Sequence, residues 1–178
     1  MNTITKRAFS SIYNYSSAAN PKVFLSVAAG GHKIGDLVFE IYQDKQPVAA
    51  DNFQQLLKGT SDGRSYVGTQ FTSGQNGLGI IGGKLDEANN GAYQCWNVDG
   101  DLNLRHYKRG LLTSVSEGPN QNGGQFMITF NEALFLDGYQ TVFGELVEGH
   151  EVLDEIEKKV DRHGKVHDNL TIVAGGPK

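Results

Sequence analysis

Gly118-Pro-Asn-Gln-Asn-Gly-Gly-Gln-Phe126, running straight into Met127-Ile-Thr-Phe130, is the stretch that decides the fold. Pro119 fixes one backbone angle, and Asn122-Gly123 tolerates the left-handed backbone of tight turns, so the first half reads as a turn. Gln125-Phe-Met-Ile-Thr-Phe130 is apolar, rich in β-formers and short, which predicts a buried strand.

Working outward, Lys22–Val27 and Gly35–Tyr42 alternate as partner strands around the turn Ala29-Gly-Gly-His32. Pro47 opens a helix whose Ala49, Phe53, Leu56 and Leu57 share one face, and Gly59 stops it. From there to Gly124 the chain is glycine-heavy, with turn dipeptides at Asn76-Gly77 and Asn90-Gly91. Val142–Val147 reads as a strand, Val152, Leu153, Ile156 and Val160 as a second helix, and Leu170–Ala174 as a closing strand. Many short strands with two helices far apart predict a mainly β fold: a closed antiparallel barrel capped by two α-helices. Strand and helix do not alternate, which excludes a doubly wound parallel sheet.

These motifs carry a family resemblance. The segment 21–178 resembles the cyclophilins, which are peptidyl-prolyl cis-trans isomerases. Gly35–Tyr42 looks like their second strand, and Pro47-Val-Ala-Ala-Asp-Asn-Phe53 resembles the P-x-T-A-E-N-F start of their helix. Gly118–Phe126 resembles their G-P-N-T-N-G-S-Q-F loop, and Leu136-Asp-Gly138 with Val142-Phe-Gly144 resembles L-D-G…V-F-G. The resemblance implies a cyclophilin-like barrel with a proline-peptide groove on its outer face. The family's groove segment F-H-R-I-I-P-G-F-M-C-Q-G-G reads here Phe71-Thr-Ser-Gly-Gln-Asn-Gly-Leu-Gly-Ile-Ile-Gly-Gly83. By that register Ser73 stands where the catalytic arginine belongs. Leu78 and Gly79 replace a phenylalanine and a methionine of the proline pocket, Gly79 leaving a gap, and Ile81 replaces a backbone-gripping glutamine. Ser116 stands for an asparagine, Met127 for a phenylalanine, Phe135 for a tryptophan and Gln140 for a histidine. Phe71 and Leu136 are retained.

Isomerising an X–Pro bond means rotating a partial double bond over a barrier of about 20 kcal/mol, with no group transferred. An arginine assists by donating to the prolyl carbonyl or to the nitrogen that becomes basic as resonance breaks. Removing such a preorganised donor costs roughly 10²–10³ in rate. The groove of this chain is therefore expected to be vestigial, with no catalytic residue. Arg64 and Arg105 are the arginines that could replace the missing donor, although nothing in the sequence places them at the groove.

The chain has 178 residues, a net charge of −4 and 38% hydrophobic residues, which suits one soluble domain with a real core. Its acids and bases are interspersed, which argues against nucleic acid as a main partner. Apolar runs are too short to span a membrane. The one cysteine, Cys95, cannot form an internal disulfide, in keeping with a reducing compartment. Gly77-Leu-Gly-Ile-Ile-Gly82 spells G-x-G-x-x-G, but the residues after it make a poor helix, so no nucleotide site is expected. His163 and His167 flank Gly164 without a cysteine or acid cluster and read as a loop, so neither metal nor cofactor is expected.

Residues 1–20 differ from the rest: Lys6 and Arg7, many Ser, Thr and Asn, and no acid before Asp36. Ile4, Ala8, Ile12 and Tyr13 recur at helical spacing, and Arg7-Ala-Phe-Ser10 resembles a matrix-peptidase cleavage signal. The segment reads as a mitochondrial targeting sequence or, if retained, a tail that docks on a partner. Two functions follow as expectations. One is a non-catalytic interaction or scaffold subunit of a mitochondrial assembly, with protein partners and weak binding of proline-containing peptides. The other is a divergent but active mitochondrial isomerase assisting folding. A cytoplasmic placement is the alternative location.

Overall fold

The structure is a computed structural model and describes residues 13–85, 92–93 and 98–178. Among them are eight strands: β1 Lys22–Ala29, β2 His32–Ile41, β3 Ser73–Gln75, β4 Gly79–Gly82, β5 Leu111–Ser116, β6 Asn122–Thr129, β7 Val142–Glu148 and β8 Thr171–Pro177. Two helices, α1 Pro47–Lys58 and α2 His150–Glu157, and a 3₁₀ turn at Leu134–Leu136 complete the regular structure. The strands form one antiparallel sheet in the order β3-β4-β6-β5-β7-β2-β1-β8.

The expectation of a closed barrel is corrected: the sheet curls into a half-barrel, and its edge strands β3 and β8 form no ladder together. The reason is local. β3 has only three residues, and its outer edge meets the turn at Gly164, whose carbonyl accepts the Gly74 N–H at 3.0 Å. The start of β8 is met instead by residues 68–71, through one Gln70–Thr171 bridge and a 2.9 Å bond from Phe71 N to the Leu170 carbonyl.

α1 begins where Pro47 surrenders an N–H that the first helical turn does not need. It ends at Gly59, whose φ of 93° suits a residue without Cβ. Its Ala50, Phe53, Leu56 and Leu57 are buried against the inner face of the sheet. α2 caps the same core through Val152, Leu153 and Ile156. It stops before Val160, which instead bridges to Val166, so the second helix is shorter than its apolar spacing predicts. Phe126 of β6 is the hub of the core's aromatic cluster. Its ring centroid lies 5.1 Å from those of Phe53 and Tyr66 and 6.3 Å from that of Phe71.

The outer face of the sheet is not bare. Tyr42, Leu104, Leu111 and Val142 form a second apolar cluster there, completed by Tyr15 and Tyr107. Tyr15 reaches it because residues 13–20, read in the sequence as part of an extension, lie along this face as a strap. Glu40 of β2 anchors them: its carboxylate accepts Ser16 Oγ at 2.7 Å, Ser17 N at 2.7 Å and Asn20 Nδ2 at 3.1 Å. Glu40 is 4% exposed and stands across the ladder from Glu145, which pairs with Lys108. A buried carboxylate opposite another is tolerated only when donors surround it. Residues 1–12, and with them the targeting reading and its cleavage signal, lie outside the described residues, as do Cys95 and the Asn90-Gly91 turn.

Burial alone pushes the Glu40 pKa up, but the bonds from Ser17, Ser16 and Asn20 outweigh it and hold the group below its ordinary value. The strap's contribution is thus fully present above the unfolded-state value of about 4.3 and is lost as pH falls through the lower folded value. Glu40→Gln is expected to lower stability at neutral pH by about 1–2 kcal/mol, the range for hydrogen bonds to a charged acceptor after relief of the repulsion from Glu145. In urea unfolding the difference from the unsubstituted chain should shrink below about pH 4. A difference that stays constant with pH would contradict this role.

Candidate functional site

The residues that the resemblance assigns to a groove converge on one end of the outer face. Register carries them there: Ser73 pairs with Ile81, Ile81 with Met127, and Met127 with Thr113. Side chains alternate between faces along a strand. Gly74, Ile80, Ile128 and Leu112 therefore point into the core, and Ser73, Ile81, Met127 and Thr113 make a row on the other side. Exposure falls along the row: Ser73 is exposed, Ile81 half-buried, Met127 6% and Thr113 0% exposed.

Each assigned residue has a definite place. Ser73 is open to solvent at the edge of the sheet. Leu78 sits half-buried in the β3–β4 turn, its carbonyl accepting Phe130 N at 2.7 Å. Gly79 does not leave a gap, which corrects that expectation. A Cβ there would lie 2.9 Å from Met127 Cγ, 3.0 Å from its Sδ and 2.6 Å from the Ile128 carbonyl oxygen. The flexible thioether of Met127, 48 residues along the chain, has filled the space. Ser116 is turned into its own loop, where its hydroxyl donates to the Gly118 carbonyl and accepts Gly118 N at 3.2 Å. Phe71 lies beneath the groove in the core, 3% exposed, with its ring against Gly82.

The far wall is the segment 133–141. Phe135 is 67% exposed, Leu134 49% and Tyr139 76%, so three large apolar side chains stand out as a ridge. Leu136 is half-buried behind them, and the Oε1 of Gln140 is buried without a partner among the described residues.

The wall is tied to the floor by His106, a residue that sequence reasoning missed. His106 N donates to Asp137 Oδ1 at 2.7 Å, and its Nδ1 lies 2.9 Å from the same oxygen. Its Nε2 lies 2.8 Å from the Thr113 hydroxyl, at the inner end of the groove row. Its carbonyl accepts Ala133 N at 2.8 Å. The imidazole is 0% exposed, and burial depresses its pKa against the opposing pull of Asp137. In a neutral ring with Nδ1–H on Asp137, Nε2 faces the Thr113 hydroxyl, which also lies 3.2 Å from the Thr141 carbonyl. With Thr113 itself buried, this Asp–His–Thr line holds two pieces of backbone together and offers no nucleophile to solvent. A histidine in Leu104-Arg-His106 carries no sequence signal for this, because its partner is 31 residues away.

Of the two arginines considered as substitute donors, Arg64 is engaged away from the groove row and Arg105 lies beside the wall. Arg64 pairs with Asp62 at 2.8 Å and donates to the carbonyls of Ala92 and Tyr93, the latter at 2.8 Å. Arg105 stands over the Tyr13 ring, 5.8 Å from its centroid, and 4.0 Å from Asp137. The loop Gly118–Phe126 acts as a brace: Asn120 N donates to Asp99 at 2.9 Å, Asn120 Oδ1 accepts Asp99 N at 3.0 Å, and Asn122 Nδ2 donates to Asp99 at 2.8 Å. Gly79–Gly82, inside the G-x-G-x-x-G match, is strand β4 of an antiparallel pair, not the turn into a helix that a dinucleotide site requires. His167 pairs with Asp161 at 3.0 Å, and His163 accepts from Arg162 at 3.2 Å.

Among the described residues, no helix is long and apolar enough to cross a membrane. The family model described as cyclophilin type peptidyl-prolyl cis-trans isomerase/CLD matches residues 24–176, which takes in every strand from β2 to β7, both helices and all of the groove. With the antiparallel half-barrel and two capping helices already in place, that match makes the chain a member of the cyclophilin-type peptidyl-prolyl cis-trans isomerase family.

Proposed function

We propose that this chain is a non-catalytic cyclophilin-like protein that serves as an interaction subunit of a mitochondrial protein assembly. The observation that carries the reading is the groove row itself: Ser73, Ile81, Met127 and Thr113 include no charged side chain, Arg64 is held by Asp62 and two backbone carbonyls, and Arg105 stacks over Tyr13. Rotation about X–Pro needs a donor poised at the twisted amide, and a serine hydroxyl at position 73 is both uncharged and short. The fold remains a rigid platform, and the exposed ridge Leu134, Phe135 and Tyr139 offers apolar area of the kind that proteins bury on one another. The composition of residues 1–20 supports the mitochondrial placement.

Native gel electrophoresis of mitochondria from cells making this chain, with quantitative mass spectrometry of each band, tests the proposal. Co-migration with one large complex at fixed stoichiometry is expected. A chain found mainly as free monomer contradicts the subunit role and returns the isomerase reading.

A further inference from the structure

We infer that Tyr15 is a positioning residue for the groove wall, and that residues 13–20 form a built-in brace linking Glu40 of β2 to the segment 133–141. The inference stands on contacts and holds whether or not the groove catalyses.

The path is continuous. Ser16, Ser17 and Asn20 fix the strap to Glu40, and Lys45 Nζ donates to the Tyr15 carbonyl at 3.3 Å. The Tyr15 ring packs edge-on against Tyr42 and Tyr107, with centroids 5.8 and 5.7 Å away. Its hydroxyl oxygen accepts the backbone N–H of Arg105 at 3.0 Å, a contact spanning 90 residues. Tyr13 adds a second hold, packing on Tyr107 at 5.5 Å beneath the Arg105 guanidinium. The next residue is His106, which grips Asp137 through its backbone and its ring, and Ala133 through its carbonyl.

What the brace holds is the exposed stretch of the wall, whose far end is fixed at Thr141 by Ser114 N and Ser114 Oγ. The 3₁₀ turn Leu134–Leu136 buries none of its three side chains. It is tied down by Ala133 N on His106 and by internal bonds such as Leu136 N to Ala133 O at 2.9 Å and Gln140 N to Leu136 O at 3.2 Å. An element with little buried area opens locally at low free energy, so its population of closed states depends on a few hydrogen bonds. Fixing the Arg105–His106 backbone from the strap side presents His106 to Asp137 and Ala133 in a set position. Release of the strap removes that constraint from the wall carrying Phe135.

Hydrogen exchange of the full chain tests this with Tyr15→Phe, which keeps the ring and removes only the hydroxyl acceptor. Exchange at Arg105 and at the wall amides of Ala133, Leu136, Tyr139 and Gln140 should speed up about three- to tenfold, the loss of one hydrogen bond. The amides of the β1–β2 ladder should be unchanged. The ¹⁵N shifts of the His106 ring should also move toward a mixture of tautomers. Tyr15→Ala should extend the same pattern; if that chain fails to fold, Tyr15→Phe decides alone. Faster exchange confined to residues 13–20, or spread evenly over the domain, overturns the inference. Neither readout involves catalysis or a partner, so failure here leaves the proposed function untouched.

Discussion

Phe126→Ala is expected to lower the free energy of unfolding by about 3–5 kcal/mol, the range for deleting a fully buried aromatic side chain. Phe126 is 1% exposed and meets Phe53, Tyr66 and Phe71 at once. Two glycines are shaped to it: a Cβ on Gly83 would lie 2.9 Å from its Cδ1, and one on Gly82 would lie 3.3 Å from its Cζ. These rings come from α1, β6 and the segment before β3, so the space cannot close without moving all of them. Some collapse is open to Tyr66, but its hydroxyl is bonded to the Gly124 carbonyl, which holds the ring in place. Urea titration should show a lower midpoint with the slope unchanged. A loss below about 1 kcal/mol would mean that the cluster repacks freely and is not the keystone of the core.

Ser73→Arg alone is expected to leave X–Pro isomerisation within about tenfold of the uncatalysed rate, although a donor of the kind the family resemblance places there can be worth roughly 10²–10³. A transition-state donor acts only on a proline that is seated. The groove offers a seated proline little: Met127 fills the space over Gly79, the apolar Ile81 lies beside it in the row, and Ser116 is turned into its own loop. An arginine at position 73 would stand at the solvent edge of this row with nothing to hold a substrate beneath it. Single-turnover exchange measurements on the variant check this. A gain of a hundredfold would show that the proline pocket persists and that the arginine was the one missing part.

Much of the fold was legible in the sequence, for reasons that differ by element. α1 could be read because Pro47, a 3.6-residue apolar period and Gly59 all agree, and β6 because a turn at Pro119-Asn120 precedes an apolar run, although Asn122-Gly123, read as the turn dipeptide, are the strand's first two residues. β3, β4 and β5 could not. Gly74, Gly79 and Gly82 carry no strand propensity and become strand residues because neighbours distant in sequence press on them: a Cβ on Gly74 would lie 2.8 Å from Val160 Cγ1, and one on Gly82 the same distance from the Phe71 ring. Closure of the barrel was expected from the pattern of many short strands and two distant helices, and fails where β3 is too short to take β8. At the site, register placed Ser73, Ile81 and Met127 in one row, as the alternation of a strand allows. The sequence did not show that Met127 fills the place of Gly79, that His106 joins floor to wall, or that Glu40 holds the strap. Each of these depends on a long-range partner, and a lone polar residue does not announce one.

The proposed non-catalytic role requires that this groove leave proline isomerisation at its uncatalysed rate. Two-dimensional NMR exchange on an Ala-Pro-containing peptide, with and without the full-length chain at comparable concentration, tests it most directly. The cis and trans peaks are expected to interconvert at the rate of the peptide alone, on the scale of tens to hundreds of seconds. Exchange accelerated into the subsecond range would contradict it, and would require a donor in the groove other than Ser73, Arg64 or Arg105.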